Sequence, residues 1–258
     1  MVMSLKVFIF CVAACCLYGA VAARTLDQAR AAPGGEGEKN QYKLPLFGGR
    51  CEVGIVGVDV STRTSTKAFN CLRRNGKEFA IVRAFRSNGI TDVNAPSTIA
   101  SAWAGGFSRV DIYIFPCFNC GNPSSQVTRT VKLLENSRYR MIWIDVEQQA
   151  YWSNDKAANR RFFTEMLQTA QRYKPTGVYT SMYYWPEIMG YDFTGAAHVP
   201  LWYPRFDTDP SFSDFTSFGG WARPNIKQFD ADKEMCGAVV DLNWQPGNNV
   251  QSERSVVH

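Results

Sequence analysis

Residues 141–147 read Met141-Ile142-Trp143-Ile144-Asp145-Val146-Glu147, four apolar side chains in succession and then two acids that flank a valine. A run that is apolar at consecutive positions is typical of a strand buried on both faces in a parallel sheet. Acidic residues at its end are costly to bury without partners, so they indicate a functional edge of the sheet. The stretch therefore predicts a buried strand that delivers two carboxylates to a site.

Similar apolar runs recur on both sides of this stretch, separated by polar segments that are compatible with helices. The other runs are Gly54–Val60, Phe79–Ala84, Val110–Pro116, Thr176–Thr180, Val199–Tyr203, Ile226–Phe229 and Ala238–Leu242. The helical segments are Thr64–Asn75, Ala95–Gly105, Ser124–Asn136 and Asp155–Tyr173. Strands that alternate with helices predict an α/β fold. We expect a single TIM-like (β/α)-barrel of parallel strands, in which some later helices are short or missing.

The two ends of the chain differ in composition from the part between them. Residues 1–23 combine Lys6, an apolar run and small residues before position 23, which is typical of a secretory signal peptide. This run is short for a membrane span of about 20 residues, so no membrane anchor is expected. Residues 24–50 resemble a flexible arm or pro-segment, residues 51–246 form the predicted barrel, and residues 247–258 are expected to be a disordered tail.

The cysteines agree with a secreted protein. After residue 23 five remain, which allows two disulfides and one odd thiol: Cys51, Cys71, Cys117, Cys120 and Cys236. The C-x-x-C spacing of Cys117 and Cys120 favours a short structural disulfide over a redox or zinc site. A bond between Cys51 and Cys236 would tie the two ends of the barrel together.

Charge and composition exclude several classes of function. The 258 residues carry a formal net charge of +5, with lysines and arginines scattered along the chain. A nucleic-acid-binding protein would show a basic stripe or a known motif, and neither is present. We expect a secreted monomer with no metal and no cofactor. His198 precedes a predicted strand, so we expect it to be structural.

Acids recur at the carboxyl ends of the predicted strands, where parallel barrels carry their catalytic groups. They are Asp59, Asp145, Glu147 and Asp241. Asp145 and Glu147 are two residues apart, so their side chains share one side of a strand at a spacing of about 7 Å. Two close acids cannot ionise equally easily, which leaves one protonated. Such a pair suits glycosidic cleavage, with Glu147 as the longer proton donor and Asp145 ionised.

Five short motifs in order resemble glycoside hydrolase family 25, the N-acetylmuramidase lysozymes, across residues 54–245. They are Gly57-Val58-Asp59-Val60-Ser61, Ile144-Asp145-Val146-Glu147, Val178-Tyr179-Thr180-Ser181, Leu201-Trp202 and Val240-Asp241-Leu242-Asn243. The resemblance implies a β/α-barrel whose groove binds alternating N-acetylglucosamine and N-acetylmuramic acid of bacterial peptidoglycan. It implies hydrolysis of the β-1,4 bond between them with retention of configuration.

The same resemblance implies roles for individual residues. Glu147 matches the family's acid/base, and Asp145 matches the carboxylate that assists the substrate's own acetamido group; the sequence leaves open whether Asp145 is instead a direct nucleophile. Asp59, Asp241 and Tyr179 match other residues that line the groove. Two positions depart from the family pattern: Tyr203-Pro204-Arg205-Phe206, where smaller residues are expected, and Phe229, next to Gln228, where tyrosine is usual. Both border the groove, so they bear on specificity.

Aromatic residues near the ends of the predicted strands are candidate sugar platforms, because a ring can stack on the apolar face of a pyranose. They are Tyr151, Trp152, Tyr183, Tyr184, Trp185, Trp202 and Trp221. Core packing is expected to claim more than half of them. Trp202 is the strongest candidate for the groove, and Tyr183 and Gln228 are further candidates for substrate binding.

Three other functions are weighed against a muramidase. A chitinase-like hydrolase would carry a further aspartate two residues before the D-x-E pair, where this chain has Trp143. A secreted glycan-binding barrel without turnover would have lost the acid/base, yet both acids of the pair are present. A structural or storage barrel has no positive sign in the sequence.

Overall fold

A computed structural model describes residues 54–247 of the chain. The predicted signal peptide, the arm over residues 24–50, Cys51 and nearly all of the predicted tail lie outside the described residues. Within residues 54–247 no helix is both long enough and apolar enough to cross a membrane.

Eight strands close into a barrel in which each strand pairs with its neighbours in chain order. The strands are β1 (Gly54–Val60), β2 (Lys77–Phe85), β3 (Arg109–Ile114), β4 (Ile142–Asp145), β5 (Thr176–Tyr179), β6 (Leu201–Pro204), β7 (Ile226–Met235) and β8 (Ala238–Pro246). Each contains or overlaps one of the eight apolar runs. The predicted barrel is therefore confirmed.

Helices cover the outside of the first half of the barrel. They are α1 (Thr66–Arg74), α2 (Ala95–Ala104), α3 (Pro123–Leu133), α4 (Lys156–Gln171) and the short α5 (Tyr184–Ile188). The sequence sets where they begin, since the side chains of Ser65 and Asp155 accept hydrogen bonds from the first turns of α1 and α4. Among the described residues no helix joins β6 to β7 or β7 to β8, which confirms that later helices are missing.

The last strand departs from the expected parallel arrangement. β8 runs antiparallel to both β7 and β1. A two-residue turn joins β7 to β8, and both its residues, Cys236 and Gly237, have positive φ angles of 57° and 75°. Such a turn matches the twist of a hairpin. β8 therefore descends from the mouth of the barrel, and its end at Pro246 pairs with Gly54.

Two disulfides stabilise the described part of the chain. Cys117 bonds to Cys120, which confirms the short disulfide. Cys71 of α1 bonds to Cys236 at the tip of the β7–β8 hairpin. The expected bond between Cys51 and Cys236 is therefore wrong, because the hairpin brings Cys236 to α1 instead of to the start of the barrel.

Two apolar clusters form the core. The larger lies between the strands and the helices, and the smaller fills the barrel with large side chains: Phe79, Ile81, Tyr113, Trp143, Tyr179, Trp202 and Ile226. Gly177 on β5 makes room for Trp143, because a Cβ atom there would lie 2.4 Å from the indole ring. The packed interior closes the barrel below its mouth, so a ligand can approach the carboxylates only from that mouth.

Candidate active site

The structure brings all four predicted acids to one end of the barrel. Asp59 lies near the end of β1, Asp145 is the last residue of β4, and Glu147 follows two residues later. Asp241 pairs with Asp59 across the barrel seam. It reaches the mouth near the start of a descending strand, not at the end of a parallel one as the sequence suggested. These ends of the strands are where barrel enzymes hold their substrates.

Asp59 and Asp241 are joined by a network of amide donors. The Nδ2 of Asn243 and the Nε2 of Gln228 donate to the same oxygen of Asp59, Oδ2, at 2.7 and 2.9 Å. The Gln228 amide also donates to Oδ2 of Asp241 at 3.1 Å. A β-bulge places the backbone N–H of Asp232 2.7 Å from the other Asp241 oxygen. The network fixes the positions of both carboxyls before any ligand binds.

The pair of aspartates is set up to hold a proton. Burial and, after it, the nearby charge of Asp241 raise the pKa of Asp59 to about 8, although the hydrogen bonds from the amides of Asn243 and Gln228 oppose the rise. Burial also raises the pKa of Asp241. Since two close carboxylates repel each other in a dry site, at most one is charged at neutral pH.

The charge of Glu147 acts on Asp145, and the charge of Asp241 acts on Glu147. Burial raises the pKa of Glu147 to about 7. Burial raises the pKa of Asp145 well above its usual range, and the charges of Glu147 and Asp59 add to that rise. The sequence predicted an ionised Asp145, but burial favours its neutral form in the free protein, because this side chain is only 5% exposed.

One oxygen of Asp145 is especially informative. Its Oδ1 is buried and accepts no hydrogen bond from the residues that the structure describes. A buried acceptor without a donor carries an unfavourable free energy of about 1–3 kcal/mol. Such groups are uncommon in folded proteins, and at the mouth of the barrel a ligand can supply the missing donor.

The backbone around Glu147 is held by β5 and by Trp152. The Val146 N–H donates to the Tyr179 carbonyl at 2.8 Å, and the hydroxyl of Thr180 donates to the Val146 carbonyl at 2.7 Å. The indole Nε1 of Trp152 donates to the Glu147 carbonyl at 3.1 Å. The backbone groups of Val146 and the carbonyl of Glu147 are therefore fixed, although Glu147 lies beyond the end of β4.

The residues predicted to bind substrate fall into two groups. Tyr179 is buried and its hydroxyl donates to Oε1 of Gln228 at 2.7 Å, which joins both residues to the aspartate network. Trp202 is only 2% exposed; its ring packs on Tyr179, and its Nε1 donates to Asn243 at 2.8 Å. Tyr183, in contrast, is 63% exposed after β5. Four of the seven candidate sugar platforms are buried: Trp152, Trp185, Trp202 and Trp221.

Sequence reasoning missed two residues of the site. Asn243 lies two residues after Asp241 on β8, so the alternation of a strand could have assigned it to the same face. The second residue is Tyr113 on β3. Burial, and after it the charges of the nearby Asp59 and Asp145, raise the pKa of Tyr113 well above the usual value. No sequence signal marks it, since an aromatic residue in a buried strand is ordinary.

The site's acids are not arranged as metal ligands. Over residues 54–247 no group of three or more histidine, cysteine or acidic side chains is placed to hold one ion. A closed barrel with two pairs of acids at its mouth, in each of which one member is buried (Asp59 and Asp145), suits a glycosidase, which requires one proton donor and one carboxylate.

Comparison with known proteins identifies the family. A family model described as Lysozyme-like protein 1 matches residues 52–229. The chain is 41% identical over 195 residues to Probable GH family 25 lysozyme 2 of Dictyostelium discoideum. This match covers 74% of this chain and 91% of that protein. It is 42% identical over 193 residues to Probable GH family 25 lysozyme 4 of the same organism, with 74% and 90% covered. The chain therefore belongs to glycoside hydrolase family 25, the lysozymes.

A solved structure supports the fold independently. The family GH25 lysozyme from Aspergillus fumigatus superposes with a TM-score of 0.63, covering 75% of this chain and 94% of that one. The two sequences are only 17% identical, so this likeness speaks for the barrel alone.

Proposed function

We propose that the chain is an N-acetylmuramidase that hydrolyses the β-1,4 bond between N-acetylmuramic acid and N-acetylglucosamine in bacterial peptidoglycan. The observation that carries this proposal is the buried Oδ1 of Asp145, which accepts no hydrogen bond from a described residue and lies beside a proton donor. A 2-acetamido sugar supplies the N–H that this oxygen needs. Family membership and the names of the relatives support the same reaction class.

In the proposed first step, Glu147 donates its proton to the glycosidic oxygen as the bond to the anomeric carbon breaks. The acetamido oxygen of the same sugar attacks that carbon, and positive charge develops on the acetamido nitrogen. Asp145, which releases its proton to water as the sugar binds, accepts the N–H of this group as a carboxylate and stabilises the charge, which is a strong interaction in a site that excludes water. The developing cation also offsets the burial that disfavours the Asp145 carboxylate in the free protein.

In the second step, Glu147 takes a proton from a water molecule whose oxygen attacks the anomeric carbon from the face that the leaving group vacated. The acetamido group is released, and configuration is retained. Asp59 and Asp241, held by Gln228 and Tyr179, line the groove. The exposed Tyr183 ring offers a surface on which a sugar can stack, and Trp202 contributes through Tyr179 and Asn243, which it supports.

The proposal is tested by Glu147→Gln, which keeps the shape of the side chain but cannot deliver a proton. Clearing of a cell-wall suspension should be abolished, while glycan binding and the fold are retained. Glu187→Gln is the matched control, because Glu187 is an exposed glutamate on the nearby helix α5. Lysis by Glu147→Gln at the parent rate would remove this residue from its assigned role.

Four further measurements separate the alternatives. Mass spectrometry of the released fragments should show muramic acid at the new reducing end; N-acetylglucosamine there would favour a different bond. Asp145→Asn should lower the rate by orders of magnitude, and near-normal activity would exclude Asp145 from the mechanism. A covalent sugar adduct on Asp145 in rapidly quenched samples would favour the nucleophile alternative. A parent protein that binds cell walls without clearing them would instead be a glycan-binding barrel.

We also infer that the protein is secreted. Residues 1–23 have the pattern of a signal peptide, and the described chain contains two disulfides, which form in oxidising compartments. Mass spectrometry of the mature amino terminus from a culture medium tests this inference, and a protein retained with an intact first residue would contradict it.

A further inference from the structure

Lysines and arginines that are scattered along the sequence are gathered by the fold on one face of the barrel. Each connection from a helix to the next strand lies at the amino ends of the strands, opposite the carboxylates. The connections after α1, α3 and α4, together with the last helical turns before them, carry many cations and one acid, Glu135. We define the basic belt as six cations of these segments, five of them exposed and Lys174 half-buried: Arg73, Arg74, Lys132, Arg138, Arg172 and Lys174.

Contacts between neighbouring connections make the belt continuous. The Nε of Arg73 at the end of α1 donates to the carbonyl of Gly106, which lies between α2 and β3, at 3.1 Å. The indole Nε1 of Trp103 on α2 donates to the Arg138 carbonyl at 2.6 Å. The Arg138 guanidinium in turn lies over the Trp103 ring, with its Cζ 3.9 Å from the ring centre. The segments that follow α1, α2 and α3 are therefore joined side by side.

A second contact between a cation and a ring extends the belt to the connection after α4. The Nζ of Lys174 lies 5.4 Å from the centre of the Tyr139 ring, and Tyr139 belongs to the same connection as Arg138. Neighbouring helices pack about 8–10 Å apart, so four linked connections span about 25–30 Å. This length suits an extended chain and exceeds what a single small anion can contact.

The belt cations differ from cations near the mouth of the barrel in their partners. Near the mouth, Arg83 and Arg86 both pair with Asp92, and Lys227 pairs with Asp214. Within residues 54–247, no cation of the belt forms an ion pair with an acid. The positive charge of the belt is therefore not neutralised by the described residues, and it attracts a polyanion.

We propose that the basic belt docks a phosphodiester polymer of the bacterial surface, a chain of polyol units joined by phosphates. Guanidinium groups suit this partner because each can donate two parallel N–H groups to a phosphate. The polymer lies on the face opposite the mouth, so it holds the protein on the wall while the groove stays open to glycan. The inference rests on the proposed muramidase function, which makes the bacterial wall the place where the protein acts.

The test measures the affinity of the full chain for soluble poly(glycerol phosphate) at several salt concentrations. A triple variant, Arg74→Gln with Lys132→Gln and Arg172→Gln, removes three belt cations that hold no neighbouring connection in place. Its affinity at low salt should be about tenfold to hundredfold below that of the parent. The slope of log affinity against log salt concentration should be less steep by about 2, since each phosphate contact releases about 0.7 of a counterion.

A second triple variant, Arg63→Gln with Lys67→Gln and Arg161→Gln, is the matched control. It removes the same charge from exposed positions at the other end of the barrel, after β1 and near the starts of α1 and α4. Its affinity should stay within about twofold of the parent, because salt screens charges that lie more than about 10 Å from the polymer. Equal losses in both triple variants would show that binding follows net charge and would overturn the belt. Tighter binding of the parent to single-stranded nucleic acid of equal charge, or to anionic lipid vesicles, would overturn the choice of partner.

Clearing of cell walls separates this inference from the proposed function. The parent should clear walls that carry the polymer faster than walls stripped of it with hydrogen fluoride. The belt variant should lose this preference and clear stripped walls at the parent rate. A parent that clears stripped walls but does not bind the polymer would refute the belt alone. A parent that binds the polymer but clears neither kind of wall would refute the muramidase proposal and leave the belt as a docking surface.

Discussion

Replacing Asp59 with asparagine should stabilise the barrel at neutral pH, although it removes a carboxyl from the site. Burial and Asp241 raise the pKa of Asp59 from 3.8 to about 8. Between these two values the folded protein holds a proton that the unfolded chain has released, so the stability of the parent falls as pH rises through this window. Asparagine does not titrate, and its side-chain oxygen can still accept from Asn243 and Gln228.

The size of the effect follows from the width of the window. From pH 4 to pH 7 the parent holds this proton over about three pH units, and each unit corresponds to about 1.4 kcal/mol. Because Asp59 and Asp241 titrate together, part of this effect is divided between them. We therefore expect the unfolding free energy of Asp59→Asn, relative to that of the parent, to grow by about 2–4 kcal/mol from pH 4 to pH 7. Comparing the change with pH separates titration from any difference in packing.

Urea unfolding followed by tryptophan fluorescence at pH 4, 5, 6 and 7 measures this advantage. Asp192→Asn is the control of opposite sign, since Arg160 lowers the pKa of the exposed Asp192 and its replacement should cause a small loss as pH rises. An advantage of Asp59→Asn that is the same at pH 4 and pH 7, or that shrinks as pH rises, would refute the argument.

Three further predictions concern the proton donor Glu147, the Trp152 side chain that fixes its backbone, and the disulfide of the β7–β8 hairpin. Burial raises the pKa of Glu147 to about 7, and only the protonated form of this side chain can donate a proton. The rate at which soluble glycan is cleaved should therefore fall about tenfold per pH unit above pH 7. A rate that still rises at pH 8 would contradict this prediction. Trp152→Phe keeps a ring but loses the N–H that fixes the Glu147 carbonyl, so kcat should fall about fivefold to tenfold with KM unchanged; an effect on KM alone would indicate a different role. Replacing both Cys71 and Cys236 with serine removes a disulfide between residues that are 165 apart in sequence. The free energy of unfolding, measured in urea, should fall by about 4–5 kcal/mol. Unchanged stability would show that the hairpin is held by its strands alone.

The sequence was sufficient for the barrel because its strands are apolar at consecutive positions and its helices carry their own N-caps. It did not predict the direction of β8, because β7 continues through polar residues to Met235, beyond the apolar run, and so hides the turn at Cys236-Gly237. The disulfide partner of Cys236 could not be predicted without the hairpin, because that partner depends on where the tip of the β7–β8 hairpin lies. The depth of Asp145 was equally hidden, because residue spacing gives the distance between two acids but not the packing that surrounds them.

The pairing of Gly54 with Pro246 has a practical consequence for engineering this barrel. Both ends of the described chain come together on the face opposite the carboxylates, so a fusion partner or a surface tether attached to either one starts on the side away from the mouth that holds the four acids. A short linker between them should also permit circular permutation, with new ends opened in the helix-free connection between β6 and β7.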